Sequence, residues 1–90
     1  MATVKFTYAL KRFFPKLGDM DVESENLPDV IDAVEKEFPG LKKYVLDEQG
    51  ALRKHVNIFV DGSLIRDRQK LSDVIEKGSE VYIMQALSGG

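Results

Sequence analysis

Apolar and polar positions alternate from Thr3 to Ala9, with Val4, Phe6 and Tyr8 on one side and Thr3, Lys5 and Thr7 on the other, the period-two pattern of a strand with one buried face. Pro15 and Gly18 interrupt the next stretch, so Lys11 to Asp19 is expected to be a loop, and Met20 to Glu23 reads as a short edge strand. The period then changes. Ser24 or Asn26 is placed to cap a helix, Pro28 falls in its first turn, and Asp29 complements the positive end of its dipole. Leu27, Val30, Ile31, Val34 and Phe38 make one apolar stripe, which predicts a helix from about Pro28 to Phe38, ended by Pro39-Gly40. Leu41 to Leu46 predicts a further short turn before the polar loop Asp47 to Gly50. Val56, Ile58 and Val60 restore the strand alternation, Asp61-Gly62 is a hairpin turn signal, and Leu64 to Arg66 predicts a brief return strand. Leu71, Val74 and Ile75 predict a single helical turn closed by Lys77-Gly78, and Glu80 to Gln85 a last strand with Val81 and Ile83 on one face.

Strands, then a long helix, then further strands define an α+β domain in which one helix packs on one face of a mixed sheet, with the strand order left open by pattern alone. Ninety residues suffice for one such domain and a modest core. The expected division is a globular domain over residues 1–85 and a tail over residues 86–90, Ala86-Leu87-Ser88-Gly89-Gly90.

Composition narrows the chemistry. A formal net charge of -2 with 31% charged residues gives no bulk attraction for nucleic acid or an anionic membrane, so neither is expected as a partner. The absence of cysteine removes disulfides, thiolate metal sites and cysteine nucleophiles. Met1-Ala2-Thr3 leads directly into the first strand without a signal-like apolar run, and the expected location is the cytoplasm. His55 is the only histidine, which leaves no triad or metal-ligand set to build around it, and it reads as a surface residue at a strand entry. Asp19, Asp21, Glu23 and Glu25 read as solvated or dipole-complementing carboxylates. No glycine-rich phosphate loop follows a strand, so neither a nucleotide nor a metal is expected to bind the chain itself. The basic residues Lys42, Lys43, Arg53, Lys54, Arg66 and Arg68 read chiefly as solvated loop charge.

The remaining candidate is the end of the chain. Gly89-Gly90 removes side chains from the last residues, so the backbone can thread a narrow channel and the Gly90 carboxylate can be approached from any side. A carboxylate becomes an electrophile only when one oxygen is made a leaving group, and adenylation by an ATP-using partner followed by attack of a sulfur nucleophile would convert it to a thiocarboxylate. Taken alone, a terminal Gly-Gly also fits a frayed end or an expression scar.

The order of elements, the run Val56-Asn57-Ile58-Phe59-Val60-Asp61-Gly62, the approach Lys77-Gly78-Ser79-Glu80-Val81 to the last strand and the terminal Gly89-Gly90 resemble the ThiS/MoaD sulfur carriers over essentially the whole chain. His55 to Val60 is most similar to the CysO-like branch, while Met84-Gln85-Ala86-Leu87-Ser88 lacks the paired prolines common in molybdopterin-synthase small subunits. The resemblance implies a β-grasp (ubiquitin-like) fold, with the first and last strands parallel and adjacent in mid-sheet. It implies a protein co-substrate and not an enzyme, with Gly90 as the adenylated and thiocarboxylated residue and Ser88 and Gly89 presenting it. No cofactor would be bound. ATP would be used by a ubiquitin-activating-like adenylyltransferase, with a sulfur donor and a sulfur-accepting biosynthetic enzyme (cysteine, thiamin, molybdopterin or related) as the other partners. If Val4, Phe6, Ile58, Val60, Val81 and Ile83 face the helix, Phe59, Tyr82 and Met84 lie on the opposite face. The resemblance makes those three the expected docking surface for the activating enzyme. Of Phe13 and Phe14, one is expected to cap the core and the other to be exposed. A ubiquitin-like protein modifier and a non-catalytic interaction domain are the competing functions, the latter having no need of the diglycine.

Overall fold

The computed structural model describes residues 1–85. The two end segments meet in the middle of a single sheet. β1 (Ala2–Phe6) pairs with β2 (Met20–Val22) on one side and runs parallel to β5 (Glu80–Gln85) on the other. β5 pairs antiparallel with β3 (Val56–Val60), which carries β4 (Ser63–Leu64), so the order is β2-β1-β5-β3-β4 in a mixed five-stranded sheet. The register aligns Phe6, Ile83 and Ile58 across three strands, and Val4, Val81 and Val60 in the row beside them. This is the face the alternation predicts to be inward. Val4, Ile58, Val81 and Ile83 are fully buried there, and Val60 is half-buried against them.

The helix that covers this face is α2 (Leu27–Glu37), and it buries Leu27, Val30, Ile31 and Val34. Of the two expected caps, Asn26 is the one used: its Oδ1 accepts the Asp29 amide at 2.9 Å, relieving one of the unpaired first-turn donors. Pro28, in the first turn, has no amide to leave unpaired. After Pro39, Gly40 at φ 99° starts α3 (Leu41–Val45) and has no side chain to cap it. Glu35 of α2 does so instead, its carboxylate accepting the amides of Gly40 at 3.0 Å and Lys42 at 2.8 Å. Asp61 and Gly62 both take positive φ, 51° and 85°, as a two-residue hairpin turn of the type I′ class requires between Val60 and Ser63.

Two expectations are corrected. The first strand ends at Phe6, and Tyr8 is not on its inner face: it begins a short helix, α1 (Tyr8–Lys11), and is 80% exposed. The chain turns at Thr7 because Ala9 and Leu10 are both buried, which a helical turn permits and strand alternation forbids. Leu71, Val74 and Ile75 do not form a helical turn either. Leu71 and Ile75 are buried, but Leu71 stands at φ 55° and Val74 is 78% exposed in an isolated bridge to Asn26. The local amides are claimed by side chains: Asp67 accepts from Gln69 and Lys70 and from the Ser72 hydroxyl, and Asp73 accepts from Arg66 at 2.9 Å and Asp67 at 2.7 Å.

The core position of Ile83 makes a direct test. Ile83→Ala should cost about 2–5 kcal/mol in urea unfolding, the range for emptying a packed aliphatic site. Tyr8→Ala should change stability by less than about 0.5 kcal/mol, as expected for a surface site. A reversal of the two would place Tyr8 in the core after all.

The loop carboxylates predict a pH dependence. The Ser72 hydroxyl and then the Lys70 amide hold Asp67 down from 3.8 to about 2. The amides of Arg66 and Asp67 lower Asp73, those of Gly40 and Lys42 lower Glu35, and the Glu80 amide with the Ser79 hydroxyl lowers Asp61. A carboxylate that ionises more readily when folded stabilises the fold fully above its unfolded value, and loses that contribution as pH falls through its folded value. The Asp67 contribution is therefore present above 3.8 and disappears toward about 2. Melting temperature should fall across that window, and Asp67→Asn should make the fall shallower; an unchanged acid profile in the variant would contradict the assignment.

Candidate functional site

The sheet face turned away from α2 carries the expected triad. Phe59 pairs directly with Tyr82 on β5 and, on its other side, with Leu64 on β4; Met84 follows Tyr82 by two residues and pairs with Asn57. Residues paired across a sheet point to the same face, so Leu64, Phe59, Tyr82 and Met84 form one contiguous apolar area. Phe59, Tyr82 and Met84 are half-buried and Leu64 is 51% exposed. Leu64 is a member that the alternation did not single out, although the Asp61-Gly62 turn fixes its register with Phe59.

Polar pairs edge this area. Lys5, which pairs with Tyr82 from the β1 side, lies 3.4 Å from Glu80 in an exposed ion pair, and the Thr3 hydroxyl donates to Asp21 at 3.0 Å. On the opposite side Arg68 donates to Asn57 Oδ1 at 2.7 Å and to the carbonyls of Arg53 and Val56 at 2.7 and 2.9 Å. Arg68 is therefore a half-buried staple between loop and strand, not solvated surface charge. Lys42 is engaged with Asp32 at 2.6 Å, which with nearby Glu35 raises its pKa, and the Arg53 Nε donates to the Lys43 carbonyl. These bonds reduce the basic set available to an acidic surface.

The far end of β5 leads to the last residues. Gln85 pairs with Val56, its amide donates to the Thr7 hydroxyl at 3.2 Å, and its Oε1 accepts from the Tyr44 hydroxyl at 3.1 Å. Tyr44 packs among Phe13, Phe14 and the exposed His55, with ring centroids 5.3, 5.8 and 6.2 Å away. Phe14 packs on the core while Phe13 is 59% exposed, the division expected for that pair. Gly90, Gly89 and Ser88 lie outside the described residues, as does the whole expected tail. Sequence pattern gave no sign of Thr7, Tyr44 or Gln85 as a unit, since their bonds span 78 and 41 residues. Among the described residues no group of three or more His, Cys, Asp or Glu side chains is arranged to hold a metal, and no helix is long and apolar enough to cross a membrane.

Comparison with known proteins agrees with this architecture. The ThiS family model matches residues 12–90. The fold is similar to CysO of Amycolatopsis orientalis, solved as a BexX/CysO complex, at TM-score 0.84 and 22% identity over 100% of both chains. CysO of Mycobacterium tuberculosis, described as an antigen, matches at TM-score 0.80 and 25% identity over 97% of this chain and 100% of its own. Small archaeal modifier protein 1 of Methanosarcina acetivorans matches at TM-score 0.78 and 22% identity over 99% of this chain and 95% of its own. No curated protein matches the chain. The expected β-grasp fold, with parallel first and last strands in mid-sheet, is the fold observed.

The two faces predict opposite responses to the same substitution. Phe59→Lys should leave a cooperative fold with a loss of about 1 kcal/mol. Ile58→Lys, one residue along and fully buried, should leave the chain unfolded because it puts an unpaired charge in the core. Circular dichroism with urea titration separates them, and unfolding of Phe59→Lys would reverse the face assignment.

Proposed function

The chain belongs to the ThiS family, and on that ground we propose that it serves as a ubiquitin-like sulfur carrier: a protein co-substrate whose reacting group is the carboxylate of Gly90. Family membership over residues 12–90 is the observation that supports this most strongly. The fold adds a physical reason. β5 ends at Gln85, five residues before Gly90, and it is held in the sheet centre by a partner on each side. Five extended residues reach at most about 17 Å, enough for a carboxylate to enter a partner's active site while the domain stays outside.

The chemistry proceeds in two displacements. A Gly90 carboxylate oxygen attacks the α-phosphorus of ATP on the activating enzyme; the bond to the β-phosphate breaks and pyrophosphate leaves. Hydrosulfide then attacks the carbonyl carbon, the bond to AMP breaks, and a thiocarboxylate forms with loss of one proton. Sulfur enters at the level of sulfide, so no oxidant or reductant is consumed. The thiocarboxylate is a stronger nucleophile than the carboxylate it replaces and passes sulfur to a biosynthetic enzyme. ATP binds the adenylyltransferase and not this chain, and the reaction takes place in the cytoplasm. The solved BexX/CysO complex supports a protein partner in general. Leu64, Phe59, Tyr82 and Met84 are the proposed docking area, because they form one apolar surface across β4, β3 and β5, and Tyr82 and Met84 lie on the strand that leads to the tail.

Incubation with the host's adenylyltransferase, ATP and sulfide should raise the intact mass by about 16 Da, one oxygen replaced by sulfur. Deleting Gly90, or adding one residue after it, should abolish the gain without altering the melting curve, because the wrong carboxylate then meets the active site. Failure of the native form to gain sulfur, or equal performance of all three forms, would overturn the proposal. Isopeptide formation on lysines with no thiocarboxylate would point instead to a modifier.

A further inference from the structure

Thr7 occupies the N-cap position of α1, where a threonine hydroxyl ordinarily accepts an amide from the first helical turn. Here it makes no such bond. The geometry explains why. Thr7 follows the last β1 residue, and its amide still continues the parallel ladder by donating to the Ile83 carbonyl at 3.1 Å. The next bond of that ladder would run from the Gln85 amide to the Thr7 carbonyl, but that carbonyl is taken by the Leu10 amide at 3.1 Å, which starts α1. The Thr7 hydroxyl stands in for it and accepts the Gln85 amide at 3.2 Å. The ladder is thereby extended past the point where β1 turns into α1. From the other layer the Tyr44 hydroxyl donates to the Gln85 side chain at 3.1 Å, and the Tyr44 ring is fixed among Phe13, Phe14 and His55.

We infer that Thr7 and Tyr44 form a clamp on Gln85 that sets the direction in which the C-terminal segment leaves the sheet, and so act as positioning residues for delivery of the Gly90 carboxylate. The inference rests on the carrier reading above. Gln85 is the last described residue, and it is gripped at main chain and side chain by elements 78 and 41 residues away in sequence. Neither bond belongs to the strand pairing itself, so pairing alone does not account for them. An error in direction at this root is carried through the following residues to the carboxylate. Reacting atoms must come within about 3–3.5 Å in an aligned geometry, so a loose root lowers the fraction of bound carriers poised to react.

The test measures pyrophosphate release by the host's adenylyltransferase with Tyr44→Phe, Gln85→Met, Thr7→Val and Thr7→Ser carriers, alongside thermal melts and hydrogen exchange of the Gln85 amide. Tyr44→Phe, Gln85→Met and Thr7→Val should each lower kcat about five- to tenfold, as expected for loss of one positioning hydrogen bond. KM should change less than about twofold, because the apolar docking area is untouched. Thr7→Ser, which keeps the hydroxyl, should retain most of the rate, and Thr7→Val should speed Gln85 exchange. The double variant Tyr44→Phe/Gln85→Met should be no slower than the worse single one, since both remove the same bond. Native kcat in the three variants, losses that appear in KM or follow melting temperature, or failure of Thr7→Ser to rescue would each overturn the clamp. Absence of pyrophosphate release from the native protein would overturn the carrier reading instead, and unprotected Gln85 exchange in the native protein would overturn the clamp independently of it.

Discussion

The pairing of β5 on both edges is the interaction on which the rest of the structure depends. Val81 and Ile83 are fully buried between β1 and β3 and beneath α2, and the last segment of the domain is therefore its most central strand. A parallel pair cannot be closed by a tight turn, so the chain between β1 and β5 must cross back to the same end of the sheet before their ladder can form. Such non-local pairing is entropically expensive to establish. Its consequence is that the exit point of β5 is supported by the whole fold: β1 and α1 on one side, β3 on the other, and α3 through Tyr44.

The elements legible in the sequence are those whose pattern had a single physical solution. The inward rows Val4, Val81, Val60 and Phe6, Ile83, Ile58 follow from strict alternation, and the α2 stripe from its spacing with Asn26 and Pro28 at its start. Asp61-Gly62 announced a hairpin because both positions need positive φ. Tyr8 misled because it continues the alternation of Val4 and Phe6, while the contrary signal, adjacent apolar Ala9 and Leu10, is only two residues long. The spacing of Leu71, Val74 and Ile75 suits a helix, but Leu71 takes a positive φ of 55° and the Glu76 amide donates to the Ser79 hydroxyl in place of a helical carbonyl.

The candidate site divides the same way. Phe59, Tyr82 and Met84 share the outer face by alternation, which needs no knowledge of strand order. Leu64 joins them through register, Arg68 leaves the surface through three hydrogen bonds to Asn57 and two carbonyls, and the grip on Gln85 joins residues that no local pattern relates. The common cause is that long-range hydrogen bonds depend on which loop comes to lie beside which strand. The chain itself contains no cysteine, and its lone histidine stands exposed against Tyr44. A domain whose β5 is paired on both edges, with Gln85 bonded from two layers, fits a protein that delivers a carboxylate to the machinery of others.

The most direct test of that account is the intact mass of the untagged protein taken rapidly from its native host during growth on limiting sulfur and after sulfur is restored, with and without alkylation. The account predicts a fraction heavier by about 16 Da that reacts with the alkylating reagent and grows when sulfur is supplied, a thiocarboxylate being a ready nucleophile at neutral pH. A single species at the mass of the plain carboxylate in both states, inert to the reagent, would contradict it.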